Sequence, residues 1–408
     1  MFLFLINFFQ NTLGIKIPAV FGYYSTRMML AAVTSMLLSI FLGPWFIRKL
    51  YECKIGQKIR KEECPLLGEL HKKKENTPTM GGVLIIAVMI VSLLLWMNIT
   101  NAFTLVLLVT TIYLGAVGGY DDFLKLKYKN PRGLSSKKKF FLQAIFVVIF
   151  SGYLLVPAVT ESVHVGDWFS PPTAREHVAV YNDDAEAAIE NVTLSTQEYV
   201  SRLYIPFFKN HVITFAGAGL ALLVIFFIFV IAGTSNAVNL TDGLDGLAIG
   251  CLFFVAVGLA FVAFVANNTD IARYLNILYI EGSGEIAIYL CSFAGACLGF
   301  LWYNGYPAQV FMGDIGSLTF GGIIGVSAVL LRREFLLAII GAMFVIEALS
   351  VIIQVASYKL RNKKRVFLCA PIHHHFEYKG WPETKVVLRF WIISFLFAVI
   401  GIATLKFQ

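Results

Sequence analysis

Charge is scarce in this sequence. Only 14% of its 408 residues are Asp, Glu, Lys or Arg, while 58% are hydrophobic. A water-soluble domain carries about 25% charged residues, so the chain lacks the polar surface to meet water on all sides. That shortage excludes a soluble doubly wound or TIM-barrel enzyme and a disordered chain. Cysteine is sparse and unpatterned: Cys53, Cys64, Cys251, Cys291, Cys297 and Cys369 form no Cys-x-x-Cys pair and no zinc spacing. They read as free thiols, which excludes a disulfide-rich secreted module. The apolar start, Met1 to Phe9, has neither a basic flank nor a small-residue cleavage site, so no cleavable signal peptide is evident. No internal repeat is present either, which counts against the duplicated halves of many transporters.

Long apolar runs are abundant, and the mean hydropathy is +0.74. A spanning helix needs about 20 apolar residues to cross roughly 30 Å of hydrocarbon. Ten stretches qualify: 26–47, 80–98, 102–120, 140–158, 211–232, 247–266, 284–303, 317–331, 335–357 and 387–405. The expected fold is an all-α polytopic integral membrane protein of about ten transmembrane helices, with residues 1–408 as one transmembrane catalytic domain. The net charge of +8 need not mean nucleic acid, because membrane proteins collect Lys and Arg in cytoplasmic loops. Here 24 of the 33 Lys+Arg fall in loops 48–79, 121–139 and 358–389, which share one side of a ten-helix arrangement. The positive-inside rule makes that side cytoplasmic and places both termini on the extracytoplasmic side. The segment 159–209 falls opposite and is acidic, carrying Glu161, Asp167, Glu176, Asp183, Asp184, Glu186, Glu190 and Glu198. It reads as an extracytoplasmic loop insertion, so deleting 165–200 is expected to spare activity.

Five polar clusters border the spans, all on the cytoplasmic side. The run Lys72 to Gly82 enters the second span, where Pro78 can start a helix whose free N-terminus suits an anion. Asp121 and Asp122 close the third span as adjacent carboxylates, costly at a membrane boundary unless a cation or proton relieves them. The run Asn236 to Gly246 spaces Asn239, Asp242 and Asp245 three apart, which on a helix would put them within about 120° of one another. The run Tyr303 to Ser317 contains Asn304, Phe311 and Asp314, with glycines that let a ligand approach the backbone. The last, Pro371 to Glu377, holds His373, His374 and His375. Three consecutive histidines cannot all face one ion from a regular helix, so polar contact with substrate is the better reading than zinc.

If those loops meet, Asp121, Asp122, Asp242, Asp245 and Asp314 concentrate negative charge. All-oxygen ligands favour Mg²⁺ or Mn²⁺. Such an ion beside Lys-rich loops suits phosphoryl transfer, because metal and lysine neutralise charge building on phosphate oxygens. At a membrane surface this points to one soluble phosphorylated substrate and one lipid.

The runs Thr77 to Gly82, Asp121-Asp122, Asn236 to Gly246, Phe311 to Asp314 and Pro371 to Glu377 together resemble the MraY family, the phospho-N-acetylmuramoyl-pentapeptide transferases. The resemblance covers nearly all the chain from about residue 24 except 159–209; Asn76 departs from it, where the family usually has Gly. It implies transfer of phospho-MurNAc-pentapeptide from UDP-MurNAc-pentapeptide to undecaprenyl phosphate, giving lipid I and UMP, the first membrane step of peptidoglycan synthesis. It further implies Mg²⁺ as cofactor, a homodimer, and a place in the bacterial cytoplasmic (inner) membrane with the site facing the cytoplasm. By motif, Asp314 binds the metal, Asp121 and Asp122 are catalytic candidates, and His373 is essential or nearly so. Lys74, Thr79, Asn239, Asp242, Asp245, Asn304, Phe311, His374 and His375 line the nucleotide and phosphate region, with Phe311 offering a stacking face to uracil. Of two polar residues in the ninth span, Glu347 and Gln354, the latter is nearer the cytoplasmic end and the better substrate contact.

Two routes fit these residues. In one step, Asp121 accepts a proton from the lipid phosphate, which attacks the sugar-linked phosphorus. In two steps, an Asp first forms an acyl-phosphate. A phosphomonoester with a second pKa of about 6 is mostly dianionic at neutral pH, so a general base is needed only weakly and Asp121 matters more for positioning; the one-step route is still preferred. Rivals are a UDP-GlcNAc:polyprenyl-phosphate GlcNAc-1-phosphate transferase, which shares the acidic motifs, and an ion-coupled transporter. A transporter's polar groups should sit at the bilayer midplane rather than at span ends.

Overall fold

The computed structural model describes residues 18–53, 77–128, 133–181 and 187–407, together with Thr12. Apolar runs become helices because a backbone in lipid must satisfy its own hydrogen bonds. The first, α1, spans Tyr24–Glu52, and α2 spans Gly82–Trp96. Helix α3 spans Ala102–Lys127 and starts where the Asn101 side chain accepts from the Phe103 N–H, satisfying an orphan donor. Helix α4 (Ser136–Leu155) returns across the membrane, and α5 (Pro157–Val163) follows with proline in its first turn.

The chain then leaves the bundle. Strands β1 (Ala174–Tyr181) and β2 (Ala187–Leu194) form an antiparallel hairpin, followed by α6 (Thr196–Ser201), which starts with a Ser195–Glu198 capping box. Strands β3 (Arg202–Leu203) and β4 (Ile213–Thr214) pair before α7 (Gly219–Thr241), α8 (Leu247–Ala266) and α9 (Thr269–Tyr274). Strand β5 (Tyr279–Ile280) joins the hairpin edge at Ala174 and Arg175. The last helices are α10 (Gly284–Asn304), α11 (Gly313–Leu330), α12 (Glu334–Ile340), α13 (Ala342–Leu360), α14 (Ile372–Tyr378) and α15 (Glu383–Thr404).

Among the described residues nine helices are long and apolar enough to cross a membrane. The remaining expected span, the second (α2), is apolar but has 15 residues, about 22 Å of helix. The protein is therefore a helical, polytopic membrane protein, with α8, α10 and α11 most enclosed and α1, α13 and α15 presenting most of their apolar surface outward.

Several expected boundaries move. The third span runs past residue 120 to Lys127, because Asp121 and Asp122 find partners within the fold and need not end the helix. The fifth lies at Gly219–Thr241 rather than 211–232, and the ninth is two helices parted at Gly341. The segment 159–209 contains strands and docks on the bundle. Tyr199 and Val200 are fully buried, and the buried Arg332 guanidinium donates to the Arg202 carbonyl at 2.7 and 2.9 Å.

At that same end, buried Arg27 on α1 pairs with Glu285 on α10 at 2.8 Å, and the Asn98 N–H donates to the second Glu285 oxygen at 2.9 Å. Removing one member would strand a buried charge, a loss of about 3–5 kcal/mol. The expected site residues that are described gather at the opposite end, where α2, α7 and α11 meet the returning ends of α3 and α10.

Candidate active site

Helix α3 carries Asp121 and Asp122 more than a turn before its end, so Lys125 falls at i+4 and i+3 on the same face. Its ammonium lies 2.7 Å from Asp121 Oδ2, 3.4 Å from Asp122 Oδ1 and 2.9 Å from Asp314 Oδ1. Lys139, in the first turns of α4, reaches Asp121 Oδ2 at 3.0 Å and also contacts Asp314 Oδ2. Asp121 Oδ1 accepts from the Leu134 N–H at 2.6 Å, and Asp122 Oδ2 accepts from the Ile315 N–H at 3.0 Å. The Ile315 N–H is one of the orphan donors in the first turn of α11, where the macrodipole favours an anion.

Two glycines make this approach possible. Gly313 has φ +75°, and a Cβ there would lie 2.7 Å from Asp122 Oδ2 and 2.9 Å from Thr79 Oγ1. A Cβ on Gly118 would lie 2.4 Å from the Asp314 carbonyl oxygen, so only glycine lets α3 touch the start of α11. The extended Thr77–Met80 stretch is clamped to the same loop. Phe311 N–H donates to Pro78 O, Gly81 N–H to Phe311 O and Gly82 N–H to Met312 O, each at 2.8 Å.

Asp121, Asp122 and Asp314 each offer an oxygen, all within 4.8 Å of one another. This hard, all-oxygen donor set suits Mg²⁺ or Mn²⁺, whose ligand oxygens sit on the order of 3–4 Å apart at bond lengths of about 2.1 Å. Three carboxylates and two ammoniums leave one net negative charge, so a divalent cation would turn the centre positive and receptive to a diphosphate.

The other expected residues surround this centre. Thr79 is buried beside Gly313, and Phe311 is partly exposed two residues before it. Asn239 donates to Ser317 Oγ at 2.9 Å, and Ser317 in turn donates to Gly313 O at 3.1 Å. Asn239, Asp242 and Asp245 do not share one helical face. Helix α7 stops at Thr241, Asp242 is its C-cap, and Gly246 takes a left-handed turn at φ +76°. Asp242 lies just beyond the span, where burial and the neighbouring Asp314, Asp122 and Asp245 push its carboxyl up to about 7.

Asp245 and Asn304 brace loops. Asp245 Oδ2 accepts from the Ala308 N–H at 2.9 Å, while Asn304 accepts from Gly246 N–H at 3.1 Å and donates to Val310 O at 2.8 Å. His373 is fully buried with Nδ1 3.1 Å from Glu347 Oε1. His374 Nδ1 lies 2.6 Å from Glu377 Oε2, and His375 Nδ1 accepts from the Leu368 N–H at 3.1 Å. The Gln354 amide holds the 366–367 backbone by three bonds of 3.0 Å. Lys74 lies outside the described residues.

Lys125 and Lys139 escaped the sequence reading as members of the centre. The i+3 and i+4 spacing from the aspartates to Lys125 was a usable signal, hidden by ending the third span at residue 120. Lys139 had none, since it arrives only when α4 folds back.

The family model Glycosyl transferase family 4 matches residues 185–332, and phospho-N-acetylmuramoyl-pentapeptide-transferase signature 1 matches residues 74–86. The chain is similar to the phospho-N-acetylmuramoyl-pentapeptide-transferase of Protochlamydia amoebophila (strain UWE25), at 65% identity over 410 residues covering 100% of both chains. The protein of that name from Francisella philomiragia subsp. philomiragia is 44% identical over 387 residues, 94% of each chain. That from Francisella tularensis subsp. novicida is 43% identical over the same length and coverage.

Proposed function

Because this chain belongs to the phospho-N-acetylmuramoyl-pentapeptide transferase family, we propose that it transfers phospho-MurNAc-pentapeptide from UDP-MurNAc-pentapeptide to undecaprenyl phosphate, giving lipid I and UMP. The observation that carries the chemistry is the convergence of three carboxylates from α3 and α11 with the ammoniums of Lys125 and Lys139.

Asp314, with Asp121 and Asp122 within reach, would hold Mg²⁺, which when bound supplies neutralisation of the pyrophosphate oxygens. Lys125 and Lys139 stabilise the same developing charge from the protein side. Any proton on the lipid phosphate passes to Asp121. A phosphate oxygen of the lipid then bonds to the sugar-linked phosphorus, and the bond from that phosphorus to UMP breaks. Asp121 thus serves mainly to position a dianionic nucleophile, and no acyl-phosphate is required. Phe311 offers a partly exposed ring to uracil, a stack worth about 1–3 kcal/mol. Thr79 and Asp242 line the approach, while Asn304, Asp245, Gln354 and His375 hold the loops that shape it.

The reading extends to a homodimer in the inner membrane and to this end facing the cytoplasm, the orientation being supported by Lys125, Lys127, Lys137, Lys138 and Lys139 at that end. The test is UMP release by the purified chain given Mg²⁺ and undecaprenyl phosphate. Product is expected with UDP-MurNAc-pentapeptide and none with UDP-GlcNAc; the reverse preference would overturn the assignment.

A further inference from the structure

Glu347 and His373 form a dyad that the reaction outlined above does not use. Glu347 is six residues into α13, His373 lies in the first turn of α14, and both side chains are fully buried. His373 Nδ1 is 3.1 Å from Glu347 Oε1, whereas Nε2 has no hydrogen-bond partner among the described residues. That nitrogen points at the Asp242 turn: a Cβ built on Gly243 would lie 2.4 Å from it, and Gly243 itself is exposed. No Lys or Arg among the described residues pairs with Glu347.

A buried dyad without a neighbouring cation is least costly when its net charge is zero. Three forms satisfy this. In one, a carboxylate faces an imidazolium, which carries hydrogens on both nitrogens. In the second, a neutral carboxyl donates to Nδ1, which forces the imidazole hydrogen onto Nε2. In the third, Nδ1–H donates to a neutral carboxyl, whose own O–H on Oε2 would then be buried with no acceptor among the described residues, a costly arrangement. The first two present Nε2–H to the turn; a bare lone pair there needs the third form or a net-negative dyad set near Asp242. We infer that Glu347 is a positioning residue that keeps His373 a donor at Nε2, aimed past Gly243 at an oxygen anion of the phosphorylated substrate. The second half of this inference rests on the function proposed above.

The first test does not depend on turnover. Nitrogen NMR of the full chain labelled at histidine, with His373→Asn to assign the ring, should show Nε2 protonated in the wild type. An unprotonated Nε2 would overturn the inference. The second is a double-mutant cycle on UMP release, with thermal melting to confirm folding. Glu347→Leu should lower kcat by on the order of tenfold or more. Glu347→Gln, whose amide can donate to Nδ1 and leave the hydrogen on Nε2, should restore most of it. In the His373→Asn background Glu347→Leu should cause no further fall in kcat. Independent, multiplying losses would mean that Glu347 does not act through His373. A wild type that releases no UMP would instead remove the proposed function, and the ring signal would still decide the donor state.

Discussion

At the scale of single residues, the site is a balance of like charges held close. Asp242 shows the cost: with a carboxyl pushed up to about 7, the folded protein holds a proton that the unfolded chain has already released. Between the ordinary carboxylate range and neutrality the folded state therefore binds more protons, and stability from this group falls as pH rises. Asp242→Asn should raise Tm relative to wild type in metal-free, substrate-free protein, with a gap that widens as pH climbs through that window. A gap that narrows would contradict the assignment. Gly313 carries the steric counterpart. Gly313→Ala places a methyl against Asp122 and Thr79 on left-handed backbone, and misplacement of the centre should cost on the order of a hundredfold in UMP release. Unchanged kcat in this variant would show that the loop tolerates what the geometry forbids.

Among elements, the insertion at 159–209 divides into two parts. Residues 178–181 and 187–190 are hairpin strands that pair with each other, whereas 196–204 contribute buried Tyr199 and Val200 and the Arg202 carbonyl that satisfies Arg332. Replacing 178–190 by a short turn should leave UMP release and Tm near wild type. Deleting 165–200 should lower Tm and yield, because buried partners go with it; equal behaviour of the two deletions would refute the division. Composition had marked this segment as polar and acidic, but the short pairing of β1 with the distant β5 at Ala174 and Arg175, which ties the hairpin to the rest of the fold, leaves no local pattern. The spans were legible because apolar length is a local property. Their ends were not, since Asp121 and Asp122 can sit inside a helix only after Leu134, Lys139 and Ile315 arrive to meet them.

Across the whole molecule, the polar motifs legible in sequence do meet, at one end of the bundle. Asp121, Asp122 and Asp314 were readable from residue type and position at span ends, while the roles of Asn304, Asp245 and Gln354 as braces required the folded loops. An ion-coupled transporter would instead place such groups at midplane breaks; Glu347, the deep exception, is paired with His373 rather than lining a path. The Lys-rich end should face the cytoplasm. Cys53, exposed at the end of α1, should then label with a membrane-impermeant thiol reagent only in inverted vesicles. Labelling from the outside of intact cells would reverse the topology.

The most direct measurement is Mg²⁺-dependent UMP release by purified wild type and Asp314→Asn, both checked by Tm. Wild-type activity should vanish on chelation and return with Mg²⁺. The variant should lose roughly a hundredfold or more at any Mg²⁺ concentration. A folded Asp314→Asn with wild-type rate and Mg²⁺ dependence would contradict the assignment of these three carboxylates as the catalytic metal centre.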